Sequence, residues 1–176
     1  YEYKTPKGHI IEPTDTVKDL GVLVSSNRKW SAHIEHTVQG AQKMASWALS
    51  AFRDRSSTLM LTLFKTMVRS RLEYCCPVWN PVKIADIQKL ENVQRSFIRK
   101  IVGLKDMSYW DRLTKLKLLS LQRRRERYCI IQVWKMINNH APNDVKMQFT
   151  RHSRHGIKAK IPSLNTNAQL SVQSDY

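Results

Sequence analysis

Residues 31–52 read SAHIEHTVQGAQKMASWALSAF, and the apolar positions Ile34, Val38, Ala41, Ala45, Ala48 and Phe52 step by four, three, four, three and four. That spacing keeps them on one side of a helix, and the three alanines let a neighbouring helix approach closely. Ser31 is the expected N-cap. The same period recurs toward the C-terminus. Residues 57–74 form a second expected helix with Met60, Leu63, Phe64, Met67 and Val68 inward. It ends near Tyr74, because Pro77 restricts Cys76 and supplies no amide donor. The stretch from Cys76 to Pro81 is a stiff corner. A third helix, 83–102, carries the stripe Ile84, Ile87, Leu90, Val93, Phe97 and Ile101, with Gly103 suited to its C-cap. Ser108 and Asp111 fit the N-cap and acidic first turn of a short helix, 108–116. The last helix, 120–138, is expected to bury Leu121, Tyr128, Ile131, Trp134 and Ile137 and to expose Arg123, Arg124, Arg125, Arg127 and Lys135.

Upstream of the helices the pattern is strand-like. Tyr1 and Tyr3 alternate with Glu2 and Lys4, Pro6 and Gly8 make a turn, and Val17, Leu20, Val22, Leu23 and Val24 form a short run rich in β-branched residues. Gly21 inside it fits a bulge or a close backbone approach. Two or three strands cannot cover both faces, so this piece is expected to belong to a larger sheet upstream, with strands confined to the first 25 residues. From Ala141 the composition turns to Ser, Asn, Gln, Thr, His and basic residues, the mark of a linker or loosely ordered tail. The expected fold class is mainly α: a β remnant over 1–25, a helical bundle over 26–140 and a basic tail over 141–176.

The chain has 176 residues and a formal net charge of +16, the size of one ordinary domain and not of a multidomain machine. Residues 1–52 carry +1, whereas 53–104 and 105–140 carry +6 each. Such an imbalance points to a polyanion, phosphate backbones before anionic membranes. Three cysteines with no C-x-x-C pair argue against a disulfide-built secreted domain. No signal peptide opens the sequence, and the uncharged run from Ser56 to Phe64 is far shorter than the ~20 residues that span a bilayer. A soluble, intracellular protein, cytoplasmic or nuclear, is expected. The opening Tyr1 suggests a piece of a longer protein.

Catalytic chemistry finds little to stand on. Two-metal phosphoryl transfer needs carboxylates that converge on a pair of cations, and the aspartates are scattered with no Asp-Asp pair. His33 and His36 are three apart, where a zincin helix needs a spacing of four, so packing or capping is the simpler role. Cys129 is expected to be an inert buried thiol. The remaining signal is basic: Arg95, Arg99 and Lys100 on the third helix and Arg123, Arg124 and Arg127 on the last recur at helical spacing, able to meet phosphates while the opposite side packs.

Particular strings then matter. Val17-Lys18-Asp19-Leu20-Gly21-Val22-Leu23-Val24 followed by Trp30-Ser31-Ala32-His33-Ile34, then Leu61 to Lys65, Val68 to Cys75 and Pro77 to Pro81, are similar to successive blocks in the reverse transcriptases of non-LTR retrotransposons, the jockey-like LINE group. Leu90 to Arg95, Ile101 to Leu104, Tyr109, Arg112-Leu113, Leu118 to Leu121 and Arg124-Arg125 continue the resemblance in order, over about residues 17–139. Arg28 departs from it, standing where a Leu is usual, and the chain stops at Tyr176 before an aromatic-rich Trp-Asn segment. The resemblance implies the end of a polymerase palm followed by a thumb-like bundle that holds an RNA–DNA template–primer duplex. It also implies that the metal-binding aspartates lie upstream, so this piece would bind rather than catalyse, with Mg needed only by the parent polymerase and the palm as a further partner. Two other readings stay open: a domesticated or autonomous helical RNA- or DNA-binding protein, and a helical protein-interaction module.

Overall fold

The structure, a computed structural model, describes residues 3–4, 6–138, 140, 148–152 and 156–160. It is mostly helical. Two compact units divide it, Tyr1–Cys129 and Ile130–Tyr176.

The first unit opens with two antiparallel hairpins. β1 (Tyr3–Lys4) pairs with β2 (Ile10–Ile11), and β3 (Thr16–Asp19) pairs with β4 (Val22–Ser25), Asp19 opposite Val22. Leu20 and Gly21 form the two-residue loop between β3 and β4 with φ of 43° and 87°, the left-handed conformations that such tight hairpins require. The Tyr74 hydroxyl donates to the Leu20 carbonyl at 2.9 Å, and Gly21 lies against the same tyrosine ring.

α1 (Ser31–Ala51) buries Ile34, Val38, Ala41, Ala45 and Ala48, the expected stripe, while Phe52 stays exposed beyond its end. Ser31 does not cap it: the hydroxyl donates to the Asp86 carboxylate at 2.9 Å, and Lys89 pairs with Glu35 at 2.9 Å one turn on. Both links advance together, so α1 and α5 (Ile84–Ile98) run side by side in the same direction over their first turns. His33 joins this helix to the hairpin. Its Nδ1 accepts the Leu23 amide at 3.1 Å, its ring meets Trp79 edge-on at 5.1 Å, and burial, then His36, holds its pKa below the ordinary value. A neutral imidazole is what such an acceptor role needs.

The second expected helix is one continuous run, α2 (Ser57–Leu63), a π-helical segment Phe64–Arg69 and α3 (Ser70–Glu73). Thr62, Thr66 and Ser70 each donate to the carbonyl four residues earlier, at 3.0, 2.8 and 2.6 Å. This back-bonding competes for the carbonyls that the main chain would use, at the place where the helix widens. The run ends near Tyr74 as expected, but the break falls at Tyr74, with ψ of 126°, and Cys75, while Cys76 and Pro77 are themselves helical. Cys75 takes a left-handed φ of 53° and the corner itself winds into a short helix, α4 (Cys76–Trp79), with Trp79 fully buried and its indole N–H donating to the Tyr74 carbonyl at 2.8 Å.

α5 buries Leu90, Val93 and Phe97 as the sequence implies, but Ile84 is exposed and the helix stops at Ile98, short of the expected 102; Gly103 lies in the turn that follows, with φ of 73°. α6 (Tyr109–Lys115) starts at the expected cap, where the Ser108 hydroxyl accepts the Asp111 amide at 3.2 Å. Phe64 and Phe97 meet at 5.4 Å in the middle of a single apolar core that reaches from Val22 to Leu121.

α7 (Leu121–Ile137) is rotated from the expected register. Ile131 and Trp134 are 37% and 55% exposed, with Tyr128 and Ile137 also exposed, whereas Arg125, expected outside, is fully buried. The steps 128, 131, 134, 137 each fall short of a turn by about 60°, so those residues walk around the helix. The face through Leu121 continues instead through Arg125, Cys129, Gln132 and Met136, of which the last three are half-buried. Trp134→Ala is therefore expected to change unfolding free energy by no more than ~0.5 kcal/mol in a urea titration, as at other surface positions.

The buried thiol is Cys76 rather than the half-buried Cys129. Burial, then Cys129, pushes the Cys76 pKa up from 9.0 to about 11. A raised acid pKa in the folded state stabilises below the unfolded value and is lost as pH rises through the folded one. Unfolding measurements should therefore show stability falling between pH 9 and pH 11 less steeply in Cys76→Ala than in the wild-type chain.

Strands are not confined to the first 25 residues. In the second unit β5 (Gln148–His152) pairs with β6 (Gly156–Lys160) antiparallel, Phe149 opposite Ala159 and Arg151 opposite Ile157. Phe149, Thr150 and Ile157 are strand-forming residue types set in a polar context that hides them from a compositional reading. The remainder of the expected 141–176 tail lies outside the described residues.

Candidate nucleic-acid interface

α5, α6 and the first turns of α7 meet at a junction inside the first unit, and the basic residues lie on α5, in the turn after it and on α7. The junction is built around Glu91. Its buried carboxylate accepts the Leu121 and Gln122 amides, each at 3.2 Å, capping the N-terminus of α7, and it also accepts the Tyr109 hydroxyl. Gln94 donates to Tyr109 at 2.9 Å and to the Leu119 carbonyl at 3.1 Å. Arg112, itself buried, donates to the Ser108 and Arg95 carbonyls, both at 3.4 Å, tying the start of α6 to α5. Burial, then the bond to Glu91, raises the Tyr109 pKa, so the phenol stays protonated and donates.

The six residues singled out in the sequence have different fates. Arg95 sets its guanidinium 4.7 Å above the Tyr109 ring, a contact that orients the charge without neutralising it. Arg99 and Lys100 are exposed beside Lys105 on a groove of about 590 Å³ that the turn Ile101–Gly103 completes. Arg123 stands on a second groove of about 590 Å³, between α6 and α7, and Arg127 is exposed one turn further. Among the described residues these five make no ion pair. Arg124 differs. It grips Glu73 through both Nε and Nη2, the latter at 3.0 Å, and donates to the Tyr128 hydroxyl at 2.7 Å. The bond to Glu73 holds its pKa above the ordinary value, and the charge is spent inside the protein.

Arg125 is the residue that sequence reasoning misplaced, and Glu91, Tyr109 and Trp110 are those it passed over. Tyr109, Leu113 and Leu116 follow a helical stripe and are buried, which turns the adjacent Trp110 outward at 65% exposure. That offset was readable; the polar Glu91 and Gln94 between Leu90, Val93 and Phe97 gave a second, weaker sign.

Among the described residues no group of three His, Cys, Asp or Glu could hold a metal ion, and no helix is long and apolar enough to cross a membrane. The arrangement offers fixed positive charge and aromatic surface, suited to phosphates and to flat rings. Comparison with protein-family models, with curated proteins and with solved structures finds no match.

Proposed function

We propose that this chain is the end-of-palm and thumb-like part of a non-LTR retrotransposon RNA-directed DNA polymerase, holding the template–primer duplex while an upstream palm carries the metal-dependent chemistry. The observation that carries the reading is the set Arg95 on α5, Arg99 and Lys100 in the turn after it, and Arg123 and Arg127 on α7, all exposed and, among the described residues, without an ion pair. Exposed cations left unneutralised in a chain of net charge +16 favour a polyanionic ligand, and the ordered blocks from Val17 to Arg125 resemble that family. Polymerisation would fall to the parent enzyme with Mg, and the chain alone should extend no primer with Mg or Mn. A salt titration of binding to an RNA–DNA hybrid tests the reading. A steep fall of affinity with salt supports it, and failure to bind any nucleic acid returns the helices to a protein-interaction role.

A further inference from the structure

The groove between α6 and α7 differs chemically from the phosphate-facing surface beside it. One wall is Trp110, 65% exposed yet braced, since its ring tilts against Tyr109 at 5.3 Å and Tyr109 is fixed from below by Glu91 and Gln94. Leu113 and Leu118 lie beneath, and the far wall is the first turn of α7, where Gln122 donates to Glu126 at 3.0 Å beside Arg123. The space is about 590 Å³, roomy enough for a base with its sugar. A carboxylate in the wall repels phosphate and acidic peptides, while a carboxylate and an amide together accept and donate to the edge of a base. A cation stands at the rim: Arg123, exposed at the start of α7. An amphipathic helix would ask for a longer apolar stripe than Trp110 and Leu119 supply.

We propose that this groove binds one unpaired nucleotide adjoining the duplex, its base stacked on Trp110 and its phosphate held by Arg123. The assignment rests on the nucleic-acid reading above and adds to it a single-strand subsite. Bases inside a duplex are already stacked and cannot enter, so the site distinguishes an end or junction from continuous duplex.

The full chain can be titrated with a blunt RNA–DNA hybrid and with the same hybrid bearing a short single-stranded extension of either polarity, a fluorescent purine analogue being placed at the first unpaired position. The extended hybrid is expected to bind about 5-fold or more tighter than the blunt one, with the analogue quenched. Trp110→Ala should remove both the gain and the quenching while leaving blunt-hybrid affinity within about twofold, and Trp110→Phe should keep most of each. Because Trp110 is exposed, an unchanged thermal midpoint shows that the variant is folded. Equal affinity for the two hybrids, or a gain that Trp110→Ala leaves intact, overturns the subsite while the phosphate reading stands, and gives the groove to a protein partner. Absence of binding to either hybrid overturns both.

Discussion

Replacing Arg95, Arg99, Arg123 and Arg127 together by Gln is expected to lower affinity for an RNA–DNA hybrid by more than tenfold at physiological salt. The slope of log affinity against log salt should flatten by about one unit for each contact removed, hence by about three to four units. The four side chains are exposed and, among the described residues, free of ion pairs, so each charge is available to displace a condensed counterion. Phosphate contacts position a protein without reading bases, so the loss should be similar across sequences. Arg124→Gln is the internal control. Its guanidinium is bound to Glu73 and Tyr128, so this change should lower stability and leave the slope unaltered. Changes at Lys4 and Lys7 should also matter less, since residues 1–52 sum to only +1. Filter binding between about 50 and 200 mM salt reads the effect directly. A slope unmoved by the fourfold change, in a chain that still unfolds cooperatively, would make these arginines a solvated face and nothing more.

The helices were legible because their cores obey one period. Ile34 to Ala48 and Leu90 to Phe97 repeat every three or four residues, and the structure buries each. The last helix misled because its large apolar residues, Ile131 and Trp134, are not the ones that continue the face of Leu121. Side-chain type pointed one way and helical phase the other, and phase prevailed. The fate of Arg125 was hidden for the same reason: in a run of three consecutive arginines only the register decides which one turns inward. The candidate site was half legible. Charge marked Arg95 and Arg123, but the separation of Arg124 from its neighbours depends on Glu73, 51 residues away, and no local pattern carries that distance. The β5–β6 hairpin was missed because a polar, basic stretch was read by composition alone.

Glu91→Ala is expected to cost about 3–5 kcal/mol of folding free energy, because it strips a buried network of the carboxylate on which its bonds converge. The Leu121 and Gln122 amides lose their acceptor, and the Tyr109 hydroxyl loses the oxygen to which it donates. Arg125 suffers as well. It is 1% exposed, its Nε, Nη1 and Nη2 have no hydrogen-bond partner among the described residues, and desolvation lowers its pKa against the opposing pull of Glu91, then Cys76 and Glu73. Removing Glu91 leaves that buried charge with less compensation. Replacing the charge instead should act in the other direction: Arg125→Met keeps much of the volume, deletes a guanidinium without hydrogen bonds among the described residues and should be neutral or stabilising by up to ~1–3 kcal/mol, the cost of an unsatisfied buried group. With Arg125 already Met, Glu91→Ala should cost less than in the wild-type chain, because only the capping and phenol bonds remain to be lost. A double-mutant cycle in urea measures that difference as the coupling between the two residues. Coupling indistinguishable from zero, or marked destabilisation by Arg125→Met, would mean that Arg125 is satisfied by groups other than Glu91 and that the carboxylate serves only the cap of α7.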